Sequence, residues 1–197
     1  MKATTTIQFK GRKLSRTQVK NNIIKTYTLA TSEERQDWYL SANNYCRYLS
    51  DKHQLPLDKV IGIVSALSPR KEWSLNKRIA EELILTGDCG QMKVFVGKAK
   101  DIRDTQGNEK DILSILNGPK IKSFYMNIKY PDSVVNVTVD RHAIAVALGR
   151  IATNEEQSLS EKQYQFFKEC YIWTAQALDI KPLLLQSITW EAWKRIK

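Results

Sequence analysis

Residues 118–122 read Gly-Pro-Lys-Ile-Lys, and residues 137–142, which begin about fifteen positions beyond them, read Val-Thr-Val-Asp-Arg-His. In the first stretch, a glycine turn opens an apolar helix whose first turn carries Lys120. The free N–H groups and positive dipole end of such a helix suit a phosphate. In the second stretch, a short β-branched run ends at Asp140, where a carboxylate could be held at the edge of a core. Together the two stretches indicate chemistry on nucleic acid.

The composition is that of a globular protein. The chain has 197 residues, of which 42% are hydrophobic and 9% aromatic, enough for one sizeable core or two small lobes. No apolar run is long enough to span a bilayer, and the polar N-terminus is unlike a signal peptide. We therefore expect a cytoplasmic protein that does not enter a membrane.

The net charge of +10, from 31 basic and 21 acidic residues, favours a polyanionic partner. Each phosphate that a basic side chain neutralises releases counterions, although many soluble proteins are basic without binding nucleic acid. Charge alone is therefore as consistent with a nucleic-acid partner as with none, and no obligate protein partner is evident. Cys46, Cys89 and Cys170 are odd in number and widely spaced. They fit neither a disulfide framework nor a metal or iron–sulfur ligand set, so we expect no metal and no other cofactor.

Apolar spacing predicts an all-α fold of roughly nine helices with little β structure. Residues 1–13 are polar and basic, and they are either extended or a short strand. A capping box at residues 31–34 (Thr-Ser-Glu-Glu) predicts a helix to about Asp51. Residues 134–139 are β-branched without an obvious strand partner, so a buried extended connection is as good an interpretation as a strand. The other helices are predicted at about 15–27, 57–67, 72–86, 109–116, 119–129, 142–148, 155–177 and 183–196, and residues 91–99, after a turn-rich stretch, could form a further short helix.

Residues 115–122 have the pattern of two helices joined by a glycine turn, which can direct the second helix at a DNA phosphate. An ordinary helical hairpin with surface lysines fits the same pattern. Lys120 and Lys122 are two positions apart, so they point to different faces of the helix. One could meet the phosphate while the other enters a desolvated site, where an amine becomes a nucleophile. The turn residues expected at the DNA are Asn117, Gly118 and Pro119.

Asp140 precedes a predicted helix and is a natural N-cap, which is the commonest role of such an aspartate. A fixed carboxylate beside a sugar can also stabilise oxocarbenium character or deprotonate the attacking nucleophile. One oxygen could cap the helix while the other faces a substrate. His142, two residues on, is either an acid/base or a structural hydrogen-bonding residue.

These segments resemble the helix-hairpin-helix (HhH-GPD) DNA glycosylase superfamily, in particular its small phage-associated branch without an iron–sulfur cluster. That branch is linked to hypermodified DNA bases. The resemblance covers about residues 57–150. Its segments are residues 64–69 (Val-Ser-Ala-Leu-Ser-Pro) through Trp73 to Asn76, residues 118–120, residues 124–128 (Phe-Tyr-Met-Asn-Ile) and residues 137–142.

The resemblance implies one all-α domain, residues 1–197, of two lobes. Residues 57–150 carry the hairpin and the active-site cleft, and residues 1–56 with 151–197 form the second lobe. A damaged or modified DNA base is flipped into the cleft, and its N-glycosidic bond is cleaved with Asp140 as the essential aspartate. If a phage encodes the chain, it works in the host cytoplasm.

The resemblance also implies a catalytic lysine in those members that cleave the strand as lyases. Lys120 takes that role if Gly118 is the second hairpin glycine, which we favour, and Lys122 takes it if Gly118 is the first. Base flipping requires stacking surfaces, although aromatic residues at helical spacing are more often core. The expected base-pocket residues are Ser68, Trp73, Phe124, Tyr125 and His142. Further DNA contacts are expected at Arg70, Lys71 and Arg141.

The chain departs from the family pattern in three places. The hairpin has one glycine instead of two, the four-cysteine iron–sulfur loop is absent, and Leu67 replaces the glutamine that usually follows Ser-Ala. Two other functions therefore stay open. One is a DNA base-hypermodification transferase on the same scaffold, in which Asp140 is the general base. The other is a catalytically silent DNA-binding module.

Overall fold

The computed structural model describes residues 5–90 and 93–197, and this part of the chain forms an all-α fold. It contains ten α-helices and one two-stranded antiparallel sheet. The chain divides into two compact units. The terminal unit comprises the described residues up to Tyr39 together with Tyr130–Lys197, and the central unit comprises those of Leu40–Lys129. Residues 130–150, which the sequence-based division grouped with 57–129, belong to the terminal unit.

The terminal unit begins with a β-hairpin of β1 (Thr6–Phe9) and β2 (Arg12–Ser15). The two turn residues, Lys10 and Gly11, both have positive φ, as a tight antiparallel turn requires. Alternate side chains along the strands are buried: Ile7, Phe9 and Leu14. Of the two interpretations of residues 1–13, a strand is therefore correct for the described residues, and this strand pairs with a second one that begins at Arg12. Residues 1–4 lie outside the described part of the chain.

Four helices complete the terminal unit: α1 (Arg16–Thr28), α8 (Arg141–Leu148), α9 (Glu161–Leu178) and α10 (Pro182–Ile196). Helix α1 packs against the other three, and α10 packs against α8 and α9. The core between them is apolar and aromatic. The Phe9 ring from the hairpin meets the Phe167 ring of α9 edge-on, with centroids 5.3 Å apart. Helix α8, which begins directly after Asp140, is held in this core by its contacts with α1 and α10.

The central unit contains α2 (Trp38–His53, which begins just before the unit boundary), α3 (Leu57–Leu67), α4 (Trp73–Thr86), α5 (Lys93–Asp104), α6 (Glu109–Ile115) and α7 (Pro119–Lys129). Helix α3 is its centre, since it packs against α4, α5, α6 and α7 and is buried from Val60 onward. A Cβ atom on Gly62 would lie 2.9 Å from the Cγ2 atoms of Ile102 and Ile112, so only glycine permits this approach. The helix predicted from residue 91 runs from Lys93 to Asp104, and residues 91–92 lie outside the described part.

Two predicted helix starts are wrong. The helix expected after the capping box begins at Trp38, because Glu33–Arg35 form a short 3-10 turn and Gln36 is extended. The helix expected from residue 155 begins at Glu161, because residues 154–157 form a turn. Its true start is a capping box in which Ser160 and Gln163 satisfy each other's backbone N–H groups.

Candidate active site

An extended segment delivers Asp140 to its position. Val137 and Val139 are buried and residues 137–139 form no strand, so the interpretation as a buried connection is confirmed for this part of the segment, whereas residues 134–135 form an exposed bend. The Tyr164 hydroxyl of α9 takes the place of a strand partner: it accepts from the Val139 N–H at 3.1 Å and donates to the Val137 carbonyl at 3.3 Å. Buried backbone groups that find partners in this way hold the chain rigidly up to Asp140.

Asp140 is the N-cap of α8, as the sequence predicts. Its backbone is extended, and Oδ1 accepts from the N–H groups of His142 at 3.0 Å and Ala143 at 2.8 Å. The side chain is half-buried, and Oδ2 has no hydrogen-bond partner among the described residues. One oxygen therefore fixes the carboxylate, and the other is available to a ligand.

His142 lies beside this carboxylate with 9% of its surface exposed. Its Nε2 accepts a hydrogen bond from the Arg141 Nε–H at 3.2 Å. Burial lowers the pKa of His142; the Asp140 charge opposes this effect, while Lys197, Arg141 and Lys194 add to it. The neutral imidazole is therefore favoured at neutral pH, with its proton on Nδ1. His142 thus makes a structural hydrogen bond through Nε2, and its Nδ1 takes no part in that bond.

Helix α10 contributes a side of this site that the sequence analysis missed. The Trp190 ring centroid is 6.4 Å from that of His142, and the Trp38 ring packs edge-on against Trp190 at 5.6 Å. Lys194 Nζ lies 4.2 Å from the Trp190 centroid. Positions 190, 194 and 197 share one helix face by their spacing, and this is the signal that could have identified Trp190, Lys194 and Lys197 as a group.

Tyr171 of α9 lies fully buried near the same carboxylate. Its hydroxyl donates to the Ala143 carbonyl at 3.4 Å and lies 3.5 Å from Thr189 Oγ1. Burial raises the pKa of Tyr171, and the nearby Asp140 charge raises it further. The phenol therefore stays protonated at neutral pH and supports α8 from within the core.

A glycine turn joins α6 to α7 in the central unit, as predicted. Helix α6 ends at Ile115, Gly118 has φ +81°, and α7 begins at Pro119. The side of the turn is open, because a Cβ on Gly118 would meet nothing within 4 Å. Lys120 is exposed and Lys122 is half-buried. The other turn residues expected at DNA, Asn117 and Pro119, are exposed as well.

The connection between α3 and α4 carries the other expected contacts. Ser68 Oγ donates to the Ser65 carbonyl at 2.8 Å, and the Lys71 N–H donates to the Ser68 carbonyl at 3.1 Å. Arg70 is exposed and has φ +59°, so the chain turns sharply there. The side chain of Leu67, at the position where helix-hairpin-helix glycosylases usually have a glutamine, is buried and therefore unavailable to fill a gap in DNA.

The three aromatic residues expected to stack on a base differ in exposure. The Trp73 ring is half-buried and meets the Tyr45 ring edge-on at 5.9 Å. Phe124 is half-buried. Tyr125 is fully buried, so it is a core residue and offers no stacking surface. This corrects its assignment to the base pocket.

The predicted site residues therefore fall into two sets. Asp140, Arg141 and His142 lie in the terminal unit, and the hairpin and α3–α4 residues lie in the central unit. In the described part of the chain, no group of three or more His, Cys, Asp or Glu side chains could hold a metal ion. No helix in the described ranges is long and apolar enough to cross a bilayer.

Comparison with known proteins identifies a family and nothing beyond it. No curated protein matches the chain, and no solved structure matches it. A family model matches residues 5–197, nearly the whole chain. The chain therefore belongs to the DUF7178 family, a family of unknown function.

Proposed function

We propose that this protein is a DNA N-glycosylase in which Asp140 is the catalytic carboxylate. The observation that carries the proposal is the geometry of this side chain: Oδ1 is fixed by two backbone N–H groups, and Oδ2 has no partner among the described residues. A carboxylate held in this way cannot rotate away from a developing positive charge. Preorganised charge is usually the largest single contribution to catalysis.

The reaction breaks the bond between the sugar C1′ and the base nitrogen, and the base leaves with the bonding electrons. The negative charge on Oδ2 stabilises the oxocarbenium character that develops at the sugar. A water oxygen then bonds to C1′, and one of its protons passes to the carboxylate as general base. The departing base takes up a proton from solvent. Asp140 alone supplies both roles, and the scheme requires no lysine.

Positive charge around Asp140 supports DNA as the substrate over a neutral glycoside. Arg141 is exposed next to the carboxylate, and Lys194 and Lys197 are close enough to influence His142 electrostatically. The whole chain carries a net charge of +10. A lone carboxylate among cations suits a substrate that brings several negative charges of its own. The open hairpin turn at Gly118 supports a further phosphate contact.

The test is base release from DNA duplexes that carry a panel of damaged and phage-type hypermodified bases. Released bases and the remaining DNA are both weighed by mass spectrometry. Asp140→Asn is the informative variant, because the amide oxygen can still accept the two N–H groups of the cap. Asp179→Asn is the matched control, because Asp179 is an exposed residue at the end of α9.

We expect release by the wild type and by Asp179→Asn, and none by Asp140→Asn, with duplex affinity retained in all three. Equal release by Asp140→Asn would remove Asp140 from the mechanism. A gain in DNA mass without base release would replace the glycosylase with a base-modifying transferase. Salt-sensitive binding with no product on any duplex would leave a DNA-binding module.

Lyase activity is tested separately by trapping a covalent protein–DNA adduct with borohydride. An adduct that is lost in Lys120→Ala and kept in Lys122→Ala assigns the amine to Lys120, and the reverse result assigns it to Lys122. If the enzyme is a glycosylase that uses water alone, the wild type, which has both lysines, should form no covalent adduct.

A further inference from the structure

The hydrogen bond between Arg141 and His142 uses only the Nε–H group of the guanidinium. Arg141 Nε donates to His142 Nε2 at 3.2 Å, and no carboxylate of the described residues pairs with Arg141. The N–H groups on Nη1 and Nη2 have no protein partner in the described part of the chain, and the side chain is exposed. The hydrogen bond therefore fixes the Nε atom of Arg141, while the two Nη atoms of the guanidinium face solvent.

The terminal edge of a guanidinium binds the two oxygens of a phosphate through parallel hydrogen bonds. An arginine that is already oriented loses less conformational entropy on forming these bonds than a free one does. Arg141 is the neighbour of Asp140 in sequence, so a phosphate on Arg141 would lie beside the carboxylate that is proposed to act on the sugar. Orientation of Arg141 would thus bring the substrate backbone to the catalytic group.

We propose that neutral His142 is a positioning residue that holds Arg141 for a bidentate contact with the DNA phosphate next to Asp140, and that protonation of His142 releases this contact. The inference rests on the proposed function for the identity of the partner. Only an unprotonated Nε2 can accept from Arg141; a proton on that atom turns it into a donor facing another donor. The two side chains would then also repel each other as like charges.

The charges that face His142 come from two helices. At the start of its own helix α8 they are the N-cap Asp140 and Arg141, and at the end of α10 they are Lys194 and the C-cap Lys197. Asp140 favours the protonated ring, whereas burial and the three cations favour the neutral one, and burial is the largest effect. The pKa of His142 is therefore below its usual value, so the arginine is held at neutral pH and is released only in acid.

The experiment measures fluorescence anisotropy of a labelled DNA duplex that contains no damaged base, so that binding is read without catalysis. Arg141→Gln is made in three backgrounds: wild type, His142→Ala and His142→Gln. The glutamine oxygen can accept from Arg141 and does not titrate, whereas alanine offers no acceptor. In each background, the ratio of the two dissociation constants, with and without Arg141, gives the contribution of the arginine, so the general gain in charge on acidification cancels.

At about pH 7.5 we expect Arg141→Gln to weaken binding roughly tenfold and to lower the salt slope by about one, the loss of one phosphate contact. The ratio should shrink to about two- to threefold in His142→Ala and be kept in His142→Gln, because the effects of substituting two coupled residues on the binding free energy are not additive. Between about pH 7.5 and about pH 4.5 the ratio should fall for wild type and stay constant for His142→Gln.

A ratio that is the same in all three backgrounds and at both pH values would overturn the inference and leave the glycosylase proposal intact. Failure of every variant and of the wild type to bind duplex would instead overturn the proposed function, since DNA would not be the partner. If His142→Ala is misfolded by circular dichroism, the comparison of wild type with His142→Gln across pH decides the question, because neither creates a cavity at this site.

Discussion

Glu156 offers the sharpest test of how the terminal unit is held together. Its carboxylate is 7% exposed and accepts from Arg150 at 2.6 and 2.9 Å, from Arg12 at 3.1 Å and from the Thr153 N–H at 2.9 Å. These bonds join the β-hairpin to the loop that precedes α9. They lower the pKa of Glu156 from 4.5 to about 2, chiefly through Arg150.

A carboxyl group whose pKa is lower in the folded state stabilises the fold at pH values above its unfolded pKa. That stability disappears as the pH falls from the unfolded value of 4.5 to the folded value of about 2. A difference of this size corresponds to about 3 kcal/mol. Both arginines are 42% exposed, so solvent screens the pair and we expect about 2 kcal/mol from Glu156 at neutral pH.

The assay is urea unfolding of the wild type, Glu156→Gln and Glu155→Gln at several pH values between about 7 and about 2.5. Glu155 is the matched control, because its side chain is 78% exposed and lies 3.9 Å from Lys10. We expect Glu156→Gln to lose about 2 kcal/mol at pH 7 and to converge with the wild type near the acid end. Glu155→Gln should follow the wild type throughout. A constant difference between Glu156→Gln and the wild type at every pH would refute the linkage.

Three further predictions concern the central unit, the thiols and the hairpin. Gly62→Ala should destabilise the protein by about 1–3 kcal/mol in urea unfolding, because the new methyl group meets Ile102 and Ile112 at 2.9 Å; a neutral effect would contradict the packing of α3. Burial raises the pKa of Cys46 and Cys170 to about 12, so both should resist a thiol reagent at neutral pH until urea unfolds the chain, and rapid labelling of the native protein would be inconsistent with their burial. Lys120→Gln should lower the salt slope of duplex binding by about one, as expected for one lost phosphate contact, and an unchanged slope would place the DNA elsewhere.

Local sequence signals predicted the elements whose ends are set locally. Helix α3 matches its predicted bounds, and α7 begins at Pro119, where proline is tolerated in a first turn. Asp140 was recognisable as an N-cap because its partners are only two and three residues away. The glycine turn at Gly118 was recognisable for the same reason.

Long-range contacts decided what the sequence could not. The capping box at residues 31–34 forms only in part: Glu34 accepts from the Thr31 N–H, but it also pairs with Arg195, and the helix starts later. Glu156 looked like a helix residue because its pairing with Arg12 and Arg150 is invisible in a local pattern. Trp190 reaches His142 across nearly fifty residues, so the α10 side of the site could not be inferred from neighbours in sequence.

Tyr125 illustrates a different difficulty. Its helical spacing fits both a core residue and a stacking residue, and only the packing of α7 against α3 distinguishes them. The resemblance to helix-hairpin-helix glycosylases carries the same ambiguity at a larger scale, since the family to which the chain belongs has no assigned function. The activity itself therefore stays a prediction that chemistry must test.

The most direct measurement is the mass of what leaves modified duplex DNA when it is incubated with the wild type and with Asp140→Asn. We expect a free base from the wild type, no base from Asp140→Asn, and equal duplex affinity for the two proteins, because the amide keeps the cap of α8 and loses only the charge. Base release that survives Asp140→Asn would contradict the central role of this carboxylate.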